Sequence, residues 1–421
     1  MRKLAALIAP AVAATTAATV LVACSGGALH SGINPPVQGS NGSRTPLAHN
    51  AASTYKVLFN FNGTNGSNPL GDLIAVNGTL YGTTAGGGAS GKGTVFSITP
   101  SGTEKVLYSF KGGSDGDVPT AGVTELNGTL YGTTYSGGAN GDGTIFSLSA
   151  DGTHTVLYSF RGGSDGAHPR AGVTNDGGTL YGTTEYGGDS SCTGGLGCGT
   201  VYGVTTAGKE RVVHAFRSGA DGKDPRAGLT LFQSTLYGTT RYGGLGAQGT
   251  VFSVTPSGAE KVLWRFGSKN NPAAPEYGNL LAVNGALIGA ASTGMDAKCG
   301  GIDVGCGSIY AAFPSSPGQL ETIATFDGGA GGKRPVSSVT YVIKTNGNYS
   351  TTVLYGTTFE GGTSNHGTIY DVVDGETTVL HSFTGGNDGG DPYSGLTLLK
   401  GTLYGMTNGA GSKGTVFAVT P

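Results

Sequence analysis

The sequence predicts an all-β chain folded as a seven-bladed β-propeller with four strands per blade. Three observations carry this expectation. Four sequence markers each recur seven times, at a spacing of about 50 residues. Each unit holds four short runs rich in Val, Leu, Tyr, Phe and Thr, divided by Gly, Asn or Pro. The array opens on a run of the fourth type and closes on one of the third type, so its ends complement each other.

The markers are specific. LYGTT starts at Leu80, Leu130, Leu180, Leu236 and Leu354, with the degenerate copies LIGAA at Leu287 and LYGMT at Leu403. GTVF-like runs start at Gly93, Gly143, Gly199, Gly249, Gly307, Gly367 and Gly414. VLYSF-like runs start at Val57, Val106, Val156, Val212, Val262, Thr322 and Val379. A lone proline precedes the next apolar run at Pro69, Pro119, Pro169, Pro225, Pro275, Pro335 and Pro392. Glycine makes up 81 of 421 residues, far above the usual share of roughly 7%. Composition alone would suggest disorder, but the periodicity overrules it. Charged residues are 12% and the net charge is −2, so no basic cluster marks a nucleic-acid partner.

The strands can be taken in order from unit one: DLIAV, TLYGTT, GTVFSIT and EKVLYSF. Asn77-Gly78 and Asn127-Gly128 supply the positive φ of a tight hairpin. Strict alternation in VLYSF puts Val106, Tyr108 and Phe110 on one face and Leu107 on the other. Both faces are then apolar, as a sheet covered on both sides needs. Gly82 and Gly132 lie within strands, where they would let a neighbouring sheet approach. A parallel β-helix is the competing architecture, but its repeats are shorter and its strands do not form hairpins. Ring closure follows: Val57–Phe61 should lie beside Val416–Thr420 and complete the last blade, removing two exposed edges.

The flanks read differently. Residues 1–23 have Arg2 and Lys3, an apolar middle and small residues before Cys24, the pattern of a secretory signal. Leu21-Val22-Ala23-Cys24 resembles the lipobox of bacterial lipoproteins, which implies a lipid on Cys24 and a membrane anchor. Ser25 follows rather than Asp, which by the same resemblance implies the outer membrane. Residues 24–54 are polar, with Gly, Ser, Asn and Pro, and are expected to form a flexible tether. The propeller then spans 55–421.

Four further cysteines form two close pairs, Cys192–Cys198 and Cys299–Cys306, both between the LYGTT and GTVF strands. Export permits disulfides within each pair; a shared four-thiolate zinc site would require blades three and five to meet across blade four. Asp115, Asp165, Asp221 and Asp388 each precede Gly in a GGxDG-like string. One carboxylate per unit is a turn-former rather than a calcium site. His30, His49, His154, His168, His214, His366 and His381 show no metal spacing, and His214 and His381 occupy the VLYSF position of Tyr108 and Tyr158, as packing residues. No GxSxG, phosphate loop or paired acidic motif stands out. No cofactor or metal is expected.

The residue after each proline should enter the innermost strand at the central channel: Leu70, Thr120, Arg170, Arg226, Glu276, Val336 and Tyr393. Of these, Arg170, Arg226 and Tyr393 are the candidate ligand contacts.

Together LYGTT…GG…GTVF…VL.SF…DG..P.AGLT resembles the bacterial GloVer tandem-repeat family, over Tyr55 to Pro421. The match is close in units two, three, four and seven and weak in unit five. The resemblance implies a secreted or surface-displayed protein with one of several anchors, and it supplies no catalytic residues. The expectation is a monomeric, surface-anchored binding module that contacts a polysaccharide or protein without catalysis. The rival functions are a propeller polysaccharide lyase or hydrolase with scattered loop residues, and a purely structural envelope protein. Units five and six break the repeat at ASTGMDAKCGGIDVGC and YVIKTNGNYSTTV, which favours a specific site over a structural role.

Overall fold

The structure is a computed structural model and describes residues 53–190, 192, 194–267, 272–294, 299, 305–346, 349–409 and 413–421. The signal segment, Cys24 and nearly all of the tether lie outside the described residues. Among the described residues, seven antiparallel sheets of four strands follow one another along the chain, with one extra two-stranded ribbon, Pro272–Ala273 with Thr293–Gly294. Blade 1 is Ile74–Val76, Thr79–Thr84, Thr94–Ile98 and Glu104–Ser109. Blades 2 to 6 repeat that order.

Blade 7 takes its outer strand from the N-terminus. Thr54–Asn60 pairs antiparallel with Thr415–Thr420, with Val57 opposite Phe417. The closure expected from the sequence is present, with the strand beginning three residues before Val57 and ending at Asn60. Ser53 is already tied in, its hydroxyl donating to Leu380 O at 2.6 Å.

Seven apolar clusters fill the seams between adjacent blades. At the seam of blades 1 and 2, Val95 and Phe110 meet Val123, Leu130, Phe146 and Leu148. At the closing seam, Phe61, Tyr404, Met406 and Val416 meet Leu73, Leu80, Phe96 and Ile98. No single core has to grow with chain length, because each blade is buried only by its neighbours.

The repeat motif can now be explained residue by residue. Leu80 is fully buried. Gly82 faces Phe96 across the ladder, and a Cβ there would lie 2.8 Å from the ring's Cζ. The glycine therefore makes room for an aromatic ring of its own blade, not for a neighbouring sheet as the sequence suggested. Thr83 donates to Ala121 O of the next blade at 2.6 Å, and Thr133, Thr183 and Thr357 repeat that staple. Thr84 bonds Thr94 within the blade at 2.8 Å.

The outer strand also departs from strict alternation. Phe96 pairs with Val106 and Val95 with Tyr108, so Leu107 forms a bulge. Val106 and Tyr108 therefore point to opposite faces. The same shift occurs in all seven blades. A bulge on each outer strand twists the edge and discourages sheet-to-sheet pairing.

The Asp-Gly strings are turns, and they do more than bend the chain. Asp115 accepts from Lys111 N at 2.8 Å and from the Tyr108 hydroxyl at 2.6 Å. Asp165 clasps Tyr158 and Arg161 N in the same way, and Asp388 clasps His381 and Thr384 N. His381 is thus a hydrogen-bond partner as well as a packing residue. Both cysteine pairs are disulfides, Cys192–Cys198 and Cys299–Cys306, each with Cα atoms 5.3 Å apart.

Candidate functional site

The inner strands surround a central channel that widens into a cavity of about 540 Å³. Its walls include Leu70, Thr120, Arg170, Arg226, Tyr277 and Tyr393. The three candidate contacts therefore do line one cavity. The post-proline residues sit just before the inner strands rather than within them, since the first inner strand starts at Ile74. Two of the seven are misplaced by the sequence reading. Val336 is 1% exposed and Glu276 is 7% exposed, and neither lines the cavity. In blade 5 the stretch Pro275–Leu280 is one residue longer than Pro225–Leu229. The insertion turns Glu276 inward and leaves Tyr277 at the wall.

Two further rings complete the mouth, and the sequence reading missed both. One is the residue after each LYGTT-type strand: Ala85, Tyr135, Glu185, Arg241, Ser292, Phe359 and Asn408. The other is the residue before each proline: Asn68, Val118, His168, Asp224, Ala274, Arg334 and Asp391. All seven of these hold a left-handed φ between 50° and 61°. That conformation is costly outside glycine, and most of all for β-branched Val118. A signal was available. These positions differ from unit to unit while LYGTT and GTVF around them stay fixed.

The rings are chemically lopsided. Around blades 1 and 2 they offer Leu70, Ala85, Val118 and Thr120. Around blades 2 to 6 they build a network of rings and ions. Glu185 is fully buried and is gripped by Arg170 Nε on one oxygen and by Arg226 Nη2 at 2.7 Å on the other. Arg226 also bonds Asp224 at 3.1 Å and the Tyr277 hydroxyl at 3.3 Å. Arg170 stacks 4.5 Å above the Tyr135 ring. Arg334 pairs with Glu360 and lies 5.3 Å from the Phe359 ring. Tyr393 packs against Phe359 at 4.5 Å and against Tyr277 at 5.6 Å. Arg170 and Arg226 are thus pinned by carboxylates, which fixes their guanidinium planes. The aromatic rings of Tyr135, Tyr277 and Tyr393 remain half-buried at the surface of the mouth. Tyr186, beside this network, has its phenol pushed up to about 12 by burial and then by the Glu185 charge.

Below the mouth the channel narrows to a polar constriction. Six of the seven units bring their backbone close here, and a Cβ on Gly122 would lie 2.2 Å from Asp72 O. The glycine position is replaced in three units by Asp72, Asn279 and Ser338. Asp72 accepts from Gly395 N at 2.6 Å and from the Ser338 hydroxyl at 2.8 Å. Asn279 Oδ1 accepts from Gly228 N at 2.7 Å, and Asn279 N donates to Ser338 Oγ at 3.0 Å. These side chains tie five blades together around the axis. Asp72 keeps some area open to the cavity, but it sits at the centre of the molecule. Desolvation there pushes its pKa upward, against the two hydrogen bonds that lower it.

Residues 36–197 match the family model described as the Gloeobacter/Verrucomicrobia repeat. Over that stretch the chain carries the repeat. The resemblance drawn from LYGTT and its companions holds, and the same markers run on through the blades beyond the matched stretch. No curated protein matches the chain in sequence. Among solved structures, a gluconolactonase of Xanthomonas campestris overlaps 87% of this chain and 89% of its own, at 12% identity and a TM-score of 0.41. An ulvan lyase overlaps 84% and 94%, at 11% identity and 0.44. A neuraminidase-like protein from a flat-faced bat influenza virus overlaps 88% and 94%, at 9% and 0.40. These overlaps are loose, and nothing about the site's chemistry rests on them.

Proposed function

We propose that the protein is an exported, surface-anchored binding module whose channel mouth holds a polysaccharide without cleaving it. One observation carries this. The LYGTT and GTVF strands repeat closely in most units, while three sets of positions next to them, at the strand ends facing the cavity, differ from unit to unit. A scaffold that only had to fold would have no need to vary those positions. What it presents there suits a sugar chain: half-buried ring faces for stacking, and guanidinium and carboxylate groups fixed in place beforehand. A cavity of about 540 Å³ is in the usual size range for a ligand site.

Chain direction supports the same reading. Thr54 pairs with Thr420, at the end of blade 7 away from Thr415 and Thr407. Inner strands start at the mouth and successive strands reverse, so the chain enters the ring on the opposite face. An anchor at Cys24 would hold the mouth away from the membrane. The two disulfides fit an exported protein.

The test is retention of the full chain on immobilised polysaccharides, compared with Tyr393→Ala and Tyr277→Ala. Each loses one ring and no ion-pair partner of Glu185. A drop of about fivefold to tenfold in affinity is expected, since an aromatic contact contributes about 1 kcal/mol. Ser101→Ala, in a turn on the far face, should bind as the parent does. Equal loss in all three variants would contradict the placement of the site.

A further inference from the structure

The geometry points to a second site, for a divalent first-row transition metal, on the outer seam between blades 3 and 4, formed by His214, Asp221 and Glu260. No metal spacing is visible in the sequence, because the three ligands come from three different segments. His214 lies in the outer strand Glu210–Ala215 of blade 3, Asp221 ends the one-turn helix Gly219–Asp221, and Glu260 opens the outer strand Glu260–Arg265 of blade 4. One ligating atom from each lies within 4.8 Å of the other two.

The repeat itself provides the comparison. The same three positions meet at other seams, and at each of those a phenol intervenes. Between blades 1 and 2 the Tyr108 hydroxyl bonds Asp115, and His154 stacks on that ring at 4.2 Å. Between blades 2 and 3 the Tyr158 hydroxyl bonds Asp165, next to Glu210. Between blades 6 and 7, Tyr55 lies 3.6 Å above His381 and its hydroxyl bonds Asp388 O. Among the described residues, only the seam of blades 3 and 4 combines an imidazole with two carboxylates and no phenol.

This seam also carries a hydrogen-bond deficit, as the equivalent His154 Nε2 and Glu210 Oε1 do at the neighbouring seams. His214 Nε2 and Glu260 Oε1 are shielded from water and make no hydrogen bond. Nε2 lies 3.4 Å from Asp221 Oδ2, too far and too poorly aligned for a good bond. Two ligands each about 2.1 Å from a tetrahedral ion stand roughly 3.4 Å apart. Asp221 Oδ2 is already oriented by Arg217 N at 2.8 Å, the kind of outer contact that fixes a metal-binding carboxylate. Arg265, the nearby cation, is turned away to Ala220 O at 3.0 Å. A divalent ion would use the imidazole nitrogen as a ligand and neutralise both carboxylates. An imidazole with two carboxylates suits zinc, cobalt or manganese rather than calcium, which prefers oxygen alone. About a fifth of the His214 and Asp221 side chains is exposed, so the site lies near the surface.

The test uses the full chain stripped of metal with a chelator. Cobalt(II) is titrated in and its visible d–d absorption followed, zinc is then used to displace it, and thermal melting is recorded with and without zinc. The decisive variant is His214→Tyr, which rebuilds the seam of blades 2 and 3 and should fold. Glu260→Gln is a second, nearly isosteric variant. The expected result is one saturable cobalt site in the parent, displaced by zinc, with a melting temperature that rises with zinc concentration. Both variants should lose at least about tenfold in affinity and melt, metal-free, close to the parent. Cobalt binding unchanged in His214→Tyr and Glu260→Gln, or no saturable binding in the parent, would overturn the assignment.

Discussion

Replacing Thr133 by valine should weaken the ring, while the same change at Thr239 should not. Thr133 is 1% exposed, and its hydroxyl donates to Ala171 O of the next blade at 2.8 Å. Valine keeps the shape but leaves that carbonyl without its partner, at a cost of about 1–3 kcal/mol. The added methyl returns about 0.8 kcal/mol of apolar burial. The net loss should be near 1 kcal/mol. Thr239 occupies the equivalent place in blade 4 and is 2% exposed, yet its hydroxyl has no partner. The extra residue in Pro275–Leu280 has moved the acceptor away. Valine there removes a buried, unpaired hydroxyl, so it should stabilise by about 1 kcal/mol. Urea unfolding followed by tyrosine fluorescence and circular dichroism gives the two midpoints. Equal shifts in the same direction would refute the staple account of the LYGTT motif.

The other consequences can be checked with similar means. Asp72→Ala leaves two donors, Gly395 N and the Ser338 hydroxyl, without their acceptor across the axis, and should cost about 1–3 kcal/mol in the same unfolding assay. Opening the Cys192–Cys198 loop by Cys192→Ser should cost roughly 2 kcal/mol, and mass mapping without reductant should find no free thiol at either position in the parent. Glu210 is raised from 4.5 to about 7, first by burial and then by the nearby Asp165 charge. The folded state therefore keeps a proton that the unfolded chain releases, so stability should fall as pH rises from about 4.5 to about 7 and then level off. Glu210→Gln should flatten that part of the melting-temperature profile, and an unchanged slope would show that Glu210 is not the cause.

Much of the ring was legible because each blade repeats one solution. Period, strand type and closure by Val57–Phe61 follow from residues that stay fixed across units, and both disulfide pairs from close cysteines in units three and five. What was missed lies in contacts that one unit makes with the next. The outer-strand bulge at Leu107 carries no glycine, so nothing in VLYSF marks it. The hydrogen bond from Tyr108 to Asp115 was hidden in a constant spacing of seven residues, shared by Tyr158–Asp165, His214–Asp221 and His381–Asp388. The mouth was found only in part, because the residue after each proline was followed and the residues before proline and after LYGTT were not. Glu276 and Tyr277 were misassigned because a single inserted residue shifts the register of one loop.

The most direct measurement passes the full chain over a panel of immobilised polysaccharides, then analyses both the retained protein and the released sugars by mass spectrometry. The account predicts retention on at least one polysaccharide, lost in Tyr393→Ala, with no shortened or unsaturated sugar released. Release of cleaved product by the parent would contradict it and make the mouth a catalytic site.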